Sequence, residues 1–372
     1  MWLWPALAAV ATVAVAVIAT VVTLAVTNSG SKGTPLASSN PSGSLPPPTS
    51  RSPWIPSGGH LPRSLVFSQE LQQGSSLSRT DLATGRTTQF LHLSSSFLAV
   101  PANGDWVAYV MFRQASGQEI PGTPGVKGTA VTHIRNVETG RDIEVGPGDR
   151  PIWSWDGTRL AAYLRTGSGY RVETASLEDP RFRTITPQGR WGIVGWAGPR
   201  VLLYELGASP RPFLATTSGR LTPVSVPQGM TILGALPDGR WVAGVPKSGT
   251  SQTHQAVFLP LPEGRPVTLG LGNWILGSVH WTANDLLFAS AATGYKIDSP
   301  SAALVLDPAK GTLYAVPHTQ GMVDAFPSPG GGSFVVARGK HPPAWHLSAC
   351  TASGHCHAAG KIPFSVSFRQ VR

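Results

Sequence analysis

Two cysteines, Cys350 and Cys356, bracket the segment Thr-Ala-Ser-Gly-His. A Ser-Gly turn between two short strands sets such positions opposite one another, and a disulfide needs Cα atoms about 5.5 Å apart. The spacing predicts a disulfide across a hairpin, worth at most about 2–3 kcal/mol for so short a loop. The competing chemistry is a metal or haem site. His341, His346, His355 and His357 lie nearby, and Cys356-His357 is half of a haem-attachment sequence. Five residues separate the cysteines where haem attachment needs two, which argues against covalent haem. Alternating strand positions such as His355 and His357 share a face, so a metal site remains the alternative here, and none is assigned.

Hydrolysis needs a nucleophile, a base and an orienting group. The chain has no Gly-x-Ser-x-Gly elbow and no α/β region to hold one, so no catalytic residue is assigned. A second group is looser. Arg150, Arg190, Lys247, Lys296, Lys340, His318 and His341, with Trp191 and Trp274, form a candidate binding face for an anionic partner. Lys127 falls in the same class of segment. The acids there are few (Glu119, Asp149, Asp298 and Asp324), which disfavours a calcium site. The plain alternative is a scatter of solvated charges. These residues form a group only if the fold gathers their segments at one end.

A repeat supplies that fold. One unit, apolar residues then a tight turn then a strand, occurs around Gly104, Gly157, Gly198, Gly239, Asn284 and Gly331, about 40–54 residues apart. Asp-Gly, Asn-Gly and Gly-Gly give the positive φ of a tight hairpin at little steric cost. A second turn follows each, as in Thr84-Gly85-Arg86, Thr139-Gly140-Arg141, Glu178-Asp179-Pro180, Ser218-Gly219-Arg220, Glu263-Gly264-Arg265, Lys310-Gly311-Thr312 and Ser353-Gly354-His355. Six inner hairpins thus accompany seven outer ones. The first outer hairpin has a strand before it, Ser64–Ser68, but no inner strand of its own. The chain ends in an alternating strand, Pro363–Gln370, with no outer partners. Pairing the end of the chain with its beginning gives seven four-stranded units, an all-β seven-bladed β-propeller without open edges. A six-bladed ring is the alternative. A β-sandwich has no reason to repeat near 45 residues.

Pro151-Ile-Trp-Ser-Trp-Asp-Gly-Thr-Arg-Leu160 resembles the Pro-x-Trp-Ser-Pro-Asp-Gly repeat of TolB-type (WD40-like) propellers, with weaker copies at Leu236-Pro-Asp-Gly-Arg-Trp and Phe326-Pro-Ser-Pro-Gly-Gly. Trp155 stands where that family has Pro. The resemblance covers residues 64–372 as an architecture and implies a propeller outside the cytoplasmic membrane that serves as a binding platform. It carries no catalytic residues. Asp156 and Asp238 are then turn formers. An Asp-box is excluded because Asp156 and Gly157 are adjacent.

The loop Arg113–Thr129 is about a dozen residues longer than its equivalents. Long loops on rigid scaffolds often carry binding; the alternative is a plain insertion.

Composition agrees with the architecture. Gly (42) and Pro (34) make up about a fifth of the 372 residues, which disfavours helical bundles, coiled coils and solenoids. Charged residues are only 13%, and the net charge is +10. Residues 1–27 form an uncharged apolar run, long enough to cross about 30 Å of hydrocarbon, with Trp2 and Trp4 as interfacial anchors. A cleaved signal peptide would have a basic start, a shorter apolar core and a small-x-small site. We therefore expect an uncleaved signal anchor. Lys32, Arg51 and Arg63 all follow the span, so the charge bias does not favour an inside N-terminus. The cysteine pair and the linker instead point to a single-pass cell-membrane protein with its propeller on the extracytoplasmic side. Residues 28–60 are a Ser/Pro/Gly-rich linker and residues 61–372 the propeller.

The expected function is a non-catalytic binding, scaffold or sensor module without a cofactor. Its partner is a protein or an anionic cell-envelope ligand and not nucleic acid, since the positive charge is dispersed. The alternative is an extracytoplasmic propeller enzyme of lactonase or sugar-dehydrogenase type.

Overall fold

The computed structural model describes residues 60–371, apart from 72–73, 94–97, 100–103, 120–126, 167–168, 208–209, 247–253, 262, 294–298, 317, 340–343, 353–354 and 364–365. The expected signal anchor lies outside the described residues, as does the linker up to residue 59. Among the described residues no helix is long and apolar enough to cross a membrane.

The strands form seven four-stranded antiparallel sheets. Six take four consecutive strands each, from Leu98–Ala99 onward. The remaining sheet, blade one, joins Ser64–Leu71, Gly74–Asp81 and Thr87–Leu93 to the last strand, Val366–Val371. That strand pairs with the first in the register Leu65↔Val371 to Gln69↔Val366. The seven-bladed reading therefore holds, including its closure by the C-terminal strand. One boundary differs from expectation: Pro363 ends Cys356–Pro363, the outermost strand of blade seven, and the closing strand starts at Val366.

Strand alternation explains the ring. Successive side chains point to opposite faces of a sheet. In the strand Ser64–Leu71, Leu65 and Phe67 face blade seven, where they meet Phe326, Val335, Trp345 and Ile362. Val66 faces blade two and meets Val107 and Tyr109. In Arg200–Glu205, Val201 and Leu203 pack toward blade three while Leu202 packs toward blade five. Each fully buried Leu, Val or Phe contributes about 1.5–3 kcal/mol from transfer alone. Apolar clusters of this kind bridge every pair of neighbouring blades, including blades seven and one.

The turns that join the two innermost strands and the two outermost strands of each blade define one face of the ring, the turn face. The innermost strands start at the other, the mouth. At the turn face Gly104, Gly157, Gly198, Gly239 and Gly331 all have positive φ. In blade six that role falls to Asp285 (φ 56), not to Asn284. Gly239 is required twice over, since a Cβ there would sit 2.6 Å from the Ala197 carbonyl oxygen of the neighbouring blade. Asp156 and Asp238 are turn formers as expected. Asp156 accepts from Ser154 Oγ at 2.5 Å and from Thr158 Oγ1 at 2.8 Å. Asp238 accepts from the Arg240 amide at 2.8 Å.

The long segment Arg113–Thr129 is largely hairpin. The strands Trp106–Glu119 and Lys127–Asn136 carry the pairing out through Arg113↔Thr129 to Glu119↔Lys127. Cys350 and Cys356 are paired in register and joined by a disulfide, with Cα atoms 4.1 Å apart.

Candidate binding site at the mouth of the channel

Asp149 and Arg150 open the innermost strand of blade three, Asp149–Trp153. Just before them, the Gly148 amide donates to Ala130 O at 2.9 Å, and Thr132 Oγ1 donates to Gly148 O at 3.0 Å. This fixes the chain where it enters the mouth. Asp149 Oδ1 accepts from the Arg150 amide at 2.8 Å. Burial pushes the Asp149 carboxyl above its ordinary range, against the pull of the Arg150 guanidinium. Arg150 is exposed and held at φ 48. That conformation costs an L-residue roughly 1–2 kcal/mol.

His318, in the connection between blades six and seven, is the other candidate with positive φ (58). Its carbonyl accepts from the Arg338 guanidinium, whose Nη1 also reaches Ser348 Oγ at 3.4 Å. Burial pulls the pKa of Arg338 down. Arg190 is exposed, and its carbonyl takes the Leu206 amide at 2.6 Å.

Three bases of the candidate face, Arg150, Arg190 and His318, thus stand at the mouth. Trp191 and Trp274 do not stand on it. Trp191 is buried edge-on to Phe213, at 5.9 Å between ring centroids, and its indole N–H donates to Pro187 O at 3.0 Å. Trp274 is buried in the core between blades five and six. Both indoles build the wall that holds the face. Lys247, Lys296, Lys340 and His341 lie outside the described residues, as does Asp298. Glu119 pairs with Lys127 in strand register.

Asp324 starts the innermost strand of blade seven and is buried. Its Oδ1 accepts from Ser278 Oγ at 2.6 Å, from Ser290 Oγ at 2.5 Å and from the Ala325 amide at 2.9 Å. The two serines come from blade six, so this carboxylate ties neighbouring blades together. No local pattern in the sequence marked Ser278 or Ser290. Among the described residues no group of three His, Cys, Asp or Glu side chains converges.

At the opposite end the channel is crossed. The Trp155 indole, on the inner turn of blade three, donates to the Trp281 carbonyl of blade six at 3.5 Å. These blades are not neighbours, so this long hydrogen bond spans the hole in the ring. The TolB-type repeat that this segment resembles has Pro at this position, which offers neither the ring nor the N–H.

No protein-family model matches the sequence, and no curated protein does. Solved structures do. The likeness is one of fold. An acylaminoacyl peptidase, 10% identical, aligns over 80% of this chain and 50% of its own with a TM-score of 0.54. A provisionally assigned 6-phosphogluconolactonase of Bacteroides fragilis, 15% identical, aligns over 85% of this chain and 98% of its own with a TM-score of 0.51. TolB of Acinetobacter baumannii, 12% identical, aligns over 83% and 66% with a TM-score of 0.47. The first two proteins have unlike roles, so the propeller architecture this chain shares with them assigns neither role to it.

Proposed function

We propose that this chain is a membrane-tethered propeller that works outside the cytoplasm as a binding, scaffold or sensor module, with no catalysis of its own. The observation that carries the reading is the mouth. Arg150, Arg190 and His318 are exposed there, while the carboxylates beside them are engaged: Asp149 by the Arg150 amide and, at 4.0 Å, by its guanidinium, Asp324 by two serine hydroxyls and an amide. A rigid ring offering positive charge at one open end suits an anionic ligand or an acidic protein surface. The disulfide supports an oxidising compartment. The apolar run of residues 1–27 supports the tether.

The test is charge reversal at the mouth. Partners cross-linked to the full chain in its native membrane are compared with those of the double variant Arg150→Glu, Arg190→Glu. Capture of the main partner should fall by about tenfold or more, with an unchanged melting temperature. Equal capture by both proteins would overturn the mouth as the binding face. The alternative, a lactonase- or dehydrogenase-type enzyme, requires a metal at the same mouth. Stoichiometric metal in the purified full chain, lost on mutation of Asp149 or Asp324, would favour it.

A further inference from the structure

The chain joins the ring at a defined place. Ser64 pairs with Asp81, and the Leu82 amide donates to Arg63 O at 2.9 Å. Arg63 therefore sits beside the outer turn of blade one, on the turn face. The closing strand runs antiparallel to the first and also ends there, with Val371 opposite Leu65. A tether attached at Arg63 holds the ring by its turn face. The Trp155 bridge closes the channel at that same end.

The outer turns carry a matching charge. In blades one, two, four and five, the residue after the turn glycine is Arg86, Arg141, Arg220 and Arg265. All four are exposed. None has an ion-pair partner among the described residues. The turns fix three of them at the backbone. The Arg86 and Arg141 amides each donate to a threonine hydroxyl at 3.3 Å, and the Arg220 amide does so at 3.0 Å. Blade three places Arg181 and Arg183 in the same arc, both paired with Asp179. Other acids of this face are also committed within the ring, Asp238 and Asp285 to Arg240 and Asp307 to Lys310. Asp81, Asp105, Asp156, Glu178 and Glu263 stay exposed and reduce the attraction.

We infer that the turn face rests on an anionic lipid surface, held there by Arg86, Arg141, Arg220 and Arg265, so that the mouth points away from the membrane. This rests on the proposed tether. A single point of attachment at Arg63 does not by itself orient the ring. The arginines supply the contact that orients it, over the short range of a screened charge.

The test reconstitutes the full chain with neutral vesicles and with vesicles containing phosphatidylglycerol, and measures flotation and hydrogen exchange. With the anionic lipid, exchange in the outer turns of blades one, two, four and five should slow severalfold. That protection should vanish in the variant Arg86→Gln, Arg141→Gln, Arg220→Gln, Arg265→Gln and at high salt, and survive in Arg150→Gln, Arg190→Gln. Flotation on both vesicle types with identical turn exchange would overturn the inference and leave the tether standing. Failure to float on neutral vesicles would overturn the tether. In that case, flotation on anionic vesicles that the four arginines alone support would still sustain the contact, and none would overturn it. Protection by soluble polyglutamate but not by anionic vesicles would overturn the lipid assignment.

Discussion

The two faces of the ring use the same residue types in opposite ways. At the turn face, Asp81 accepts from the amides of Ala83 and Thr84 at 3.0 and 2.8 Å and from the Thr84 hydroxyl at 3.0 Å. Asn136 repeats the pattern in blade two with Glu138 and Thr139. The Thr84 amide, foremost, holds the Asp81 carboxyl below its ordinary range. At the mouth, burial drives the Asp149 carboxyl the other way. Positive φ falls on glycine at both faces, as at Gly239 in a turn and Gly272 at the mouth; the non-glycine cases are Asp285 at the turn face and Arg150 and His318 at the mouth. The two faces thus differ in how they hold their acids: by amides and hydroxyls of an exposed turn at Asp81, by burial in the wall at Asp149.

That contrast presupposes a closed ring, since the last strand runs from the mouth to the turn face of blade one. Deleting residues 364–372 removes the innermost strand of that blade and uncovers Leu65 and Phe67 at the joint with blade seven. The melting temperature should drop on the order of 10 °C or more, with rapid proteolysis near Ser64–Leu71. A truncated protein as stable as the full chain would break the comparison, because neither face would be defined.

A matched pair of substitutions sharpens it. Gly239→Ala puts a Cβ 2.6 Å from Ala197 O at φ 73 and should cost about 2 kcal/mol or more. Arg150→Gly relieves φ 48 and should leave stability within about 1 kcal/mol while weakening partner capture. Chemical denaturation of both variants reads the difference. Equal losses would mean that the mouth conformation is structural after all.

The ring was legible because its signals are local and repeated. Asp-Gly and Gly-Gly turns name their own conformation, and the unpaired ends of the repeat pointed to closure by the last strand, with a six-bladed ring as the alternative. Where two neighbours compete for one turn position, spacing does not choose; Asp285 took it over Asn284 and then bonded Arg240 and the Asp238 amide. The segments around Trp191 and Trp274 suggested an exposed face, but Trp191 opens the strand Trp191–Ala197 and large indoles gain more by packing between blades. Asp324 meets Ser278 and Ser290 only because blade six lies beside blade seven, a relation with no trace in spacing. Trp155 was visible as a departure from the repeat, and its reach to Trp281 needed the ring.

The smallest effect carries a sign. The lowered carboxyl of Asp81 stabilises the fold above its unfolded value, near 3.8, and that stability is lost as pH falls through the still lower folded value. For Asp149 the folded value lies above the unfolded one. The fold therefore favours the protonated acid, an advantage that is lost as pH rises through the raised value. Asp81→Asn should thus be less stable than the parent at neutral pH, and Asp149→Asn more stable. Both differences should shrink as the pH is taken below the unfolded value. Denaturant titrations of the two variants across that range give the curves. Differences of the same sign would show that the carboxylates of the two faces sit in like environments, and the division of labour between mouth and turn face would lose its electrostatic basis.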